Sequence, residues 1–242
     1  MDRQGMKVAL CYYGLASTVN TLPGNTIHNL PVNYLSTYKS QIDNIIKPNN
    51  ADVFIHSWSE QVKDDVVDKL KPVNYLFERQ IDFHKEAEKI NDNPNVTHFN
   101  QRHFILSRWY STKKVMELKR QHEVENNFKY DCVMVTRFDA IYNTVWDLYN
   151  QDMNYFYITG GWPLSYQEGL PDLWFFSNTD TMDVYGNMYD ELKEAWYYNG
   201  CDNRANEWDG HMLVRRHLGR HNIIQKFRYY KQHYKDSDIK RG

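Results

Sequence analysis

At 242 residues the chain is long enough for one large domain with a sizeable buried core. Its formal net charge of -2 supplies no global attraction to nucleic acid or to an anionic membrane, and no stretch approaches the roughly 20 apolar residues of a membrane span. Three widely spaced cysteines, Cys11, Cys132 and Cys201, offer neither a disulfide framework nor metal-ligand spacing. That usage, with no cleavable leader after Met1, leads to the expectation of a reducing, cytoplasmic setting rather than secretion.

The segment Lys7 to Tyr13 reads as a first strand, closed by Gly14. A polar stretch from Ser17 to Pro31 follows, long enough to be a functional loop. Apolar residues then recur at helical spacing through Val32 to Ile46 and stop at Pro48. Ala51 to His56 is a second strand, Gln61 to Leu70 a helix ended by Pro72, and Asn74 to Phe77 a third strand. Residues 78–100 are polar and carry a turn signal at Asn91-Asp92-Asn93-Pro94. Ile105 to Phe128 is an amphipathic helix, with Leu106, Trp109, Tyr110, Val115, Leu118 and Val124 on its apolar side.

Cys132 to Val135 is a short apolar run with no polar face, as expected of a strand buried on both sides. Two further strands are expected at Tyr155 to Thr159 and Leu173 to Phe176, and helices at Thr181 to Tyr198 and Asn206 to Leu218. The charged, aromatic tail from Tyr229 is expected to cover the active face or to be partly ordered. Strands alternating with helices in the first half imply a mostly parallel sheet covered on both faces. A single domain follows, with a ligand-binding half over about residues 6–140, a more irregular half over 141–225, and the tail at 226–242.

The fourth strand ends abruptly in Thr136-Arg137-Phe138-Asp139. A guanidinium and a carboxylate are thereby delivered at the carboxyl end of a central strand, the edge where open α/β sheets bind ligands. Asp139 can hold a hard divalent cation, which in turn can hold a diphosphate. The plainer reading is a turn-capping acid and an arginine paired at the surface. Gly-x-Gly-x-x-Gly and the P-loop signature are both absent from the sequence, which excludes the usual dinucleotide and P-loop readings.

Taken together, Lys7 to Gly14, Ala51 to Trp58, the helix around Ser107 to Leu118 and the strand Tyr130 to Asp139 resemble a glycosyltransferase of the GT-A fold. More narrowly, the chain is similar to small glycosyltransferases of large DNA viruses, phages and bacterial surface-polysaccharide clusters. The resemblance covers about residues 6–225. It implies a GT-A-like α/β fold, a nucleoside-diphosphate sugar donor and a glycan or other hydroxyl acceptor. It also implies residence in the cytoplasm of a bacterium or an infected host cell.

Where the family carries Asp-x-Asp, this chain has Arg137-Phe138-Asp139. One carboxylate can still hold Mn²⁺ or Mg²⁺ with the donor diphosphate; alternatively Arg137 neutralises the diphosphate itself. The resemblance further places Tyr12, Tyr13 and Gly14 around the nucleotide base, His56 at the ribose or phosphate, and Ser107 and Arg108 along the nucleotide pocket. Gly161 and Trp162 would face the sugar or acceptor, and Asp172 would accept from sugar hydroxyls. Near the last helix, Asp209 or Glu207 would be the general base of an inverting transfer, and His211 would join the metal shell. Each has a plain structural alternative: an ordinary glycine turn at Gly14, a hydrogen-bonded histidine beside Trp58 at His56, a solvated basic helix face at Arg108, and helix capping at Asn206 or Asp209. A non-catalytic nucleotide-sugar or glycan binding module on the same fold is the competing function.

Overall fold

The computed structural model describes residues 5–18, 31–89, 99–160, 169–196 and 210–241. Among the described residues nine strands run in chain order: β1 (Val8–Gly14), β2 (Asp52–Ser57), β3 (Asn74–Phe77), β4 (Cys132–Arg137), β5 (Ala140–Tyr142), β6 (Phe156–Gly160), β7 (Trp174–Ser177), β8 (Phe227–Gln232) and β9 (Ser237–Ile239). The α-helices are α1 (Tyr38–Gln41), α2 (Lys63–Leu70), α3 (His84–Lys89), α4 (Phe99–Glu125), α5 (Thr179–Gly186), α6 (Leu192–Trp196) and α7 (Gly210–Arg220).

Seven strands form one sheet in the order β3-β2-β1-β4-β7-β6-β8, and β5 and β9 form a separate pair. β1 pairs in parallel with both β2 and β4, and β2 with β3. Only β7 is inverted, antiparallel to both β4 and β6, while β8 returns parallel to β6. The fold is thus α/β with a mostly parallel central sheet flanked by helices, as the sequence pattern leads one to expect.

The sheet separates two apolar layers because side chains alternate along each strand. Ala9, Cys11 and Tyr13 point into the layer that holds Trp109, Met116 and Tyr185, on the α4 side. Val8, Leu10 and Tyr12 point into the opposite layer with Ile45, Trp146 and Trp174. Burial on both sides explains why β1 and β4 read as unbroken apolar runs. Cys11 and Cys132 are free thiols buried in these strands; burial pushes the Cys11 thiol up to about 12, which keeps it protonated and inert.

Several boundaries differ from the sequence expectation for local reasons. The helix expected over Val32 to Ile46 is split into a 3₁₀ turn at Tyr34–Ser36, α1 and a π turn at Ile42–Ile46. Asn33 caps the 3₁₀ turn through its side chain, and the Thr37 hydroxyl donates to the carbonyl of Phe138 at 2.6 Å, tying the segment to the end of β4. The helix expected over Thr181 to Tyr198 breaks after Gly186, where a methyl group would lie 2.8 Å from Met116 Cγ. The tail, expected to cover the active face or to be partly ordered, contributes β8 to the main sheet and β9 to the β5 pair, and its Lys240 and Arg241 reach Asp139. No described helix is long and apolar enough to cross a membrane.

Candidate functional site

β1 leads outward to β2 and β3, and α4 then carries the chain back to β4 on the other side of β1. The strand order therefore reverses between β1 and β4, the place where such sheets open a ligand crevice at their carboxyl ends. Tyr13 and Arg137 are register partners there, one residue before Gly14 and two before Asp139. Gly14 has φ +93°, a backbone that favours glycine, and nothing lies within 4 Å of the position its Cβ would take. The amino end of the inverted β7 reaches the same edge, with Trp174 opposite Thr136, and brings Asp172 to it.

The charged groups converge on one another. Arg137 grips Asp139 through two bonds, Nε to Oδ1 at 2.8 Å and Nη2 to Oδ2 at 2.7 Å. Arg241 donates from Nε to the same Oδ2 at 2.9 Å, and the Lys240 amide donates to the Asp139 carbonyl at 2.8 Å. Arg108, from the middle of α4, donates from Nη1 to Asp172 Oδ2 at 2.9 Å, and Arg137 Nη1 lies 3.6 Å from that oxygen. Three guanidiniums thus face two carboxylates in a low-dielectric setting. Burial opposes the charge on Asp172 and Asp139, but the arginines outweigh it and hold both carboxyls below the ordinary range. Burial likewise opposes the charge on Arg137, and Asp139 and Asp172 more than compensate.

Arg108 is the incompletely satisfied member. Its Nε and Nη2 are buried without a hydrogen-bond partner, and the Tyr185 hydroxyl beside it makes no well-directed bond either. Leaving such donors unpaired is costly. The contrast is Lys119, equally buried behind the sheet. Its ammonium donates to Glu123 at 2.9 Å, Thr179 at 2.5 Å and Asp183 at 2.8 Å, which exhausts its three protons. Lys119 is a closed structural knot; Arg108 retains capacity for an anion.

α7 begins at this site. A methyl group on Gly210 would lie 3.6 Å from Arg108 Nη1. His211 is locked against the chain before β7: its Nδ1 lies 2.6 Å from the Leu170 carbonyl, and its own carbonyl accepts from the Leu170 amide at 3.1 Å. Gly169, at φ +118°, permits this approach, since a Cβ there would sit 2.6 Å from His211.

The structure therefore brings Tyr13, Gly14, Arg108, Arg137, Asp139, Asp172 and His211 to one edge of the sheet. Tyr12 lies on the opposite face, fully buried and stacked on Phe138 at 5.1 Å, so its ring has no surface left for a base. Tyr13 packs on the α4 side, and its hydroxyl donates to the Asp172 carbonyl at 3.3 Å. His56 uses both ring nitrogens internally: Nδ1 meets Ser111 Oγ at 2.6 Å and Nε2 meets Glu78 at 2.9 Å. Ser111 in turn accepts from the Gly14 amide at 2.7 Å, so this relay positions the β1 turn. The Ser107 hydroxyl is paired with Gln80, which donates to it at 3.0 Å. Glu207, Asp209, Gly161 and Trp162 lie outside the described residues. Arg241 was not expected from the sequence, where it is one more charge in a polar tail.

The donor set at Asp139 does not fit a divalent cation. Both carboxylate oxygens are occupied by guanidiniums, and a cation would have to displace Arg137 and Arg241 while sharing their positive field. Among the described residues, the groups whose ligand atoms converge are Asp82 with His84 and His103, and Glu191 with His217 and His221; neither includes Asp139 or His211. No family model matches this sequence, and comparison with curated proteins gives no match.

Proposed function

We propose that the chain is a glycosyltransferase acting on a nucleoside-diphosphate sugar, with arginines in place of a metal at the diphosphate. The observation that carries this reading is the buried, partly unsatisfied Arg108 beside Arg137 at the strand-order reversal. A diphosphate offers the several acceptor oxygens that guanidiniums recognise in bidentate fashion. In the transfer, the acceptor hydroxyl oxygen attacks the anomeric carbon. The bond from that carbon to the diphosphate breaks, and its electron pair leaves with the diphosphate. Arg108 and Arg137 stabilise the charge that grows there, because they are already oriented before the reaction. In an inverting transfer the hydroxyl proton passes to a carboxylate, for which Asp209 or Glu207, just ahead of Gly210 in the chain, is the proposed base.

The same geometry supports a second reading, a nucleotide-sugar binding module without catalysis. The closed Arg137–Asp139–Arg241 triad favours it, since the family's metal carboxylate is there a partner of two arginines. A thermal-shift panel of UDP-, GDP- and dTDP-sugars, each with and without Mn²⁺, separates the readings when combined with an assay for released nucleotide. Stabilisation with release supports the transferase. Stabilisation without release under any acceptor supports the binder. No stabilisation by any nucleotide removes both.

A further inference from the structure

A second set of side chains converges at the opposite end of α7. His217 and His221 are one turn apart, and Glu191 reaches them from the segment between α5 and α6. Their ligand atoms all lie within 4.8 Å of one another. We propose that Glu191, His217 and His221 bind a divalent transition-metal ion of the zinc class, which ties the carboxyl end of α7 to the chain leading into α6.

His217 carries the argument. Its ring is fully buried, and Nε2 lies 2.7 Å from the Val184 carbonyl. A carbonyl only accepts, so Nε2 bears the proton and Nδ1 bears the lone pair. Nδ1 lies 3.7 Å from Glu191 Oε2 and is buried without a hydrogen-bond partner. Two acceptors therefore face each other with no proton between them. A cation between them resolves the conflict.

The surrounding geometry agrees. His221 Nε2 lies 2.8 Å from the same Glu191 oxygen. A tetrahedral ion with bonds of about 2.0–2.1 Å separates its ligand atoms by about 3.3 Å, a value bracketed by the 3.7 and 2.8 Å observed. The Val184 carbonyl is the outer partner that fixes tautomer and ring angle for a metal-binding histidine. The last carbonyls of α7 favour positive charge. Two imidazoles and one carboxylate suit zinc, copper or nickel, not magnesium or calcium. Arg220 also pairs with Glu191, at 3.0 Å, but its side chain is partly exposed and can turn outward when an ion enters. The other convergent trio is weaker, because His103 Nδ1 already accepts from the Phe83 amide at 3.1 Å. At 1.5 Å rise per residue, His217 stands about 10 Å along α7 from Gly210, so this site is separate from the diphosphate site.

Isothermal titration of EDTA-treated, dialysed protein with Zn²⁺ tests the assignment, with Mg²⁺ as comparator. The expected result is one equivalent of Zn²⁺ bound, a thermal midpoint raised by several degrees, and no response to Mg²⁺. Co²⁺ should give the intense visible absorption of a tetrahedral ion. His221→Ala and Glu191→Gln alter partly exposed side chains, and circular dichroism checks that they fold. Each should weaken Zn²⁺ binding at least tenfold, while His84→Ala leaves it unchanged. The assignment is overturned if wild type binds no Zn²⁺, if both variants bind it as wild type does, or if His84→Ala abolishes binding.

Discussion

Arg241 and Asp139 are separated by 102 residues in the chain, and Arg241 Nε donates to Asp139 Oδ2 at 2.9 Å. The strand β9 makes this possible: it pairs with β5, which leaves the central sheet immediately after Asp139. With Arg137 on the same carboxylate, the acid that would hold a cation is enclosed by two guanidiniums. Removing that acid takes the shared carboxylate from both Arg137 and Arg241. Asp139→Asn should therefore cost about 3–5 kcal/mol of stability in urea denaturation. Arg241→Ala should cost less, because Arg137 still spans both oxygens, and it removes one of the two guanidiniums on Oδ2. Mn²⁺ should then raise the melting temperature of Arg241→Ala and leave wild type unmoved. Equal Mn²⁺ responses in the two proteins would show that Arg241 does not stand where an ion would.

Arg108 gives the test of anion binding. Arg108→Lys keeps one positive charge next to Asp172 but loses the planar fork. The fold should hold, and affinity for UDP in calorimetry should fall about tenfold, or about 1.4 kcal/mol. UDP binding at wild-type strength in this variant would place the diphosphate elsewhere.

How far the sequence foretold this arrangement depends on the distance over which each feature is encoded. β3, a half-exposed strand, falls on Asn74 to Phe77 as expected, and β1, β2, β4, β6 and β7 fall within one or two residues, because the burial of each is written in its own apolar run. The register of Tyr13 with Arg137 follows from two such strands lying side by side. α3 escapes notice because His84–Lys89 is polar and buries only Ala87. β8 is too polar and β9 too short to stand out, with β8 at the edge of its sheet and β9 in a two-stranded pair. Arg241 becomes meaningful only once those strands fold back on Asp139. Tyr12 and Tyr13 show the opposite lesson: strand alternation alone forbids both rings from facing one ligand, and the structure sends them to opposite layers.

His56 makes stability depend on pH in a defined direction. Burial is the main cause that lowers its pKa to about 4; the hydrogen bond and charge of Glu78 act the other way, with smaller effects from Lys114 and Glu117. In the unfolded chain the ring titrates near 6.5. The folded value is the lower one, so the unfolded state takes up the proton first. The contribution is full above about pH 6.5 and drains away as pH falls toward 4. Wild type should lose about 2 kcal/mol more than His56→Gln between pH 7 and pH 5. Glutamine can accept from Ser111 and donate to Glu78 without titrating. Parallel pH profiles for the two proteins would mean that His56 is not held neutral.

Gly169 and Gly14 separate backbone strain from steric collision at the same site. Both have positive φ, +118° and +93°, so alanine at either costs about 1 kcal/mol or more in backbone strain. At Gly14 the new methyl meets open space, and strain is the whole effect. At Gly169 it meets the His211 backbone and Cβ at 2.6 Å, too close for either side to yield without moving the start of α7. Gly169→Ala should therefore be the more destabilising substitution by about 2 kcal/mol or more, read from paired urea midpoints. Because α7 begins against Arg108, the displacement should also weaken UDP binding in any Gly169→Ala protein that still folds. A Gly169→Ala variant as stable as Gly14→Ala, with UDP affinity intact, would break the link between the Leu170–His211 contact and the anion site.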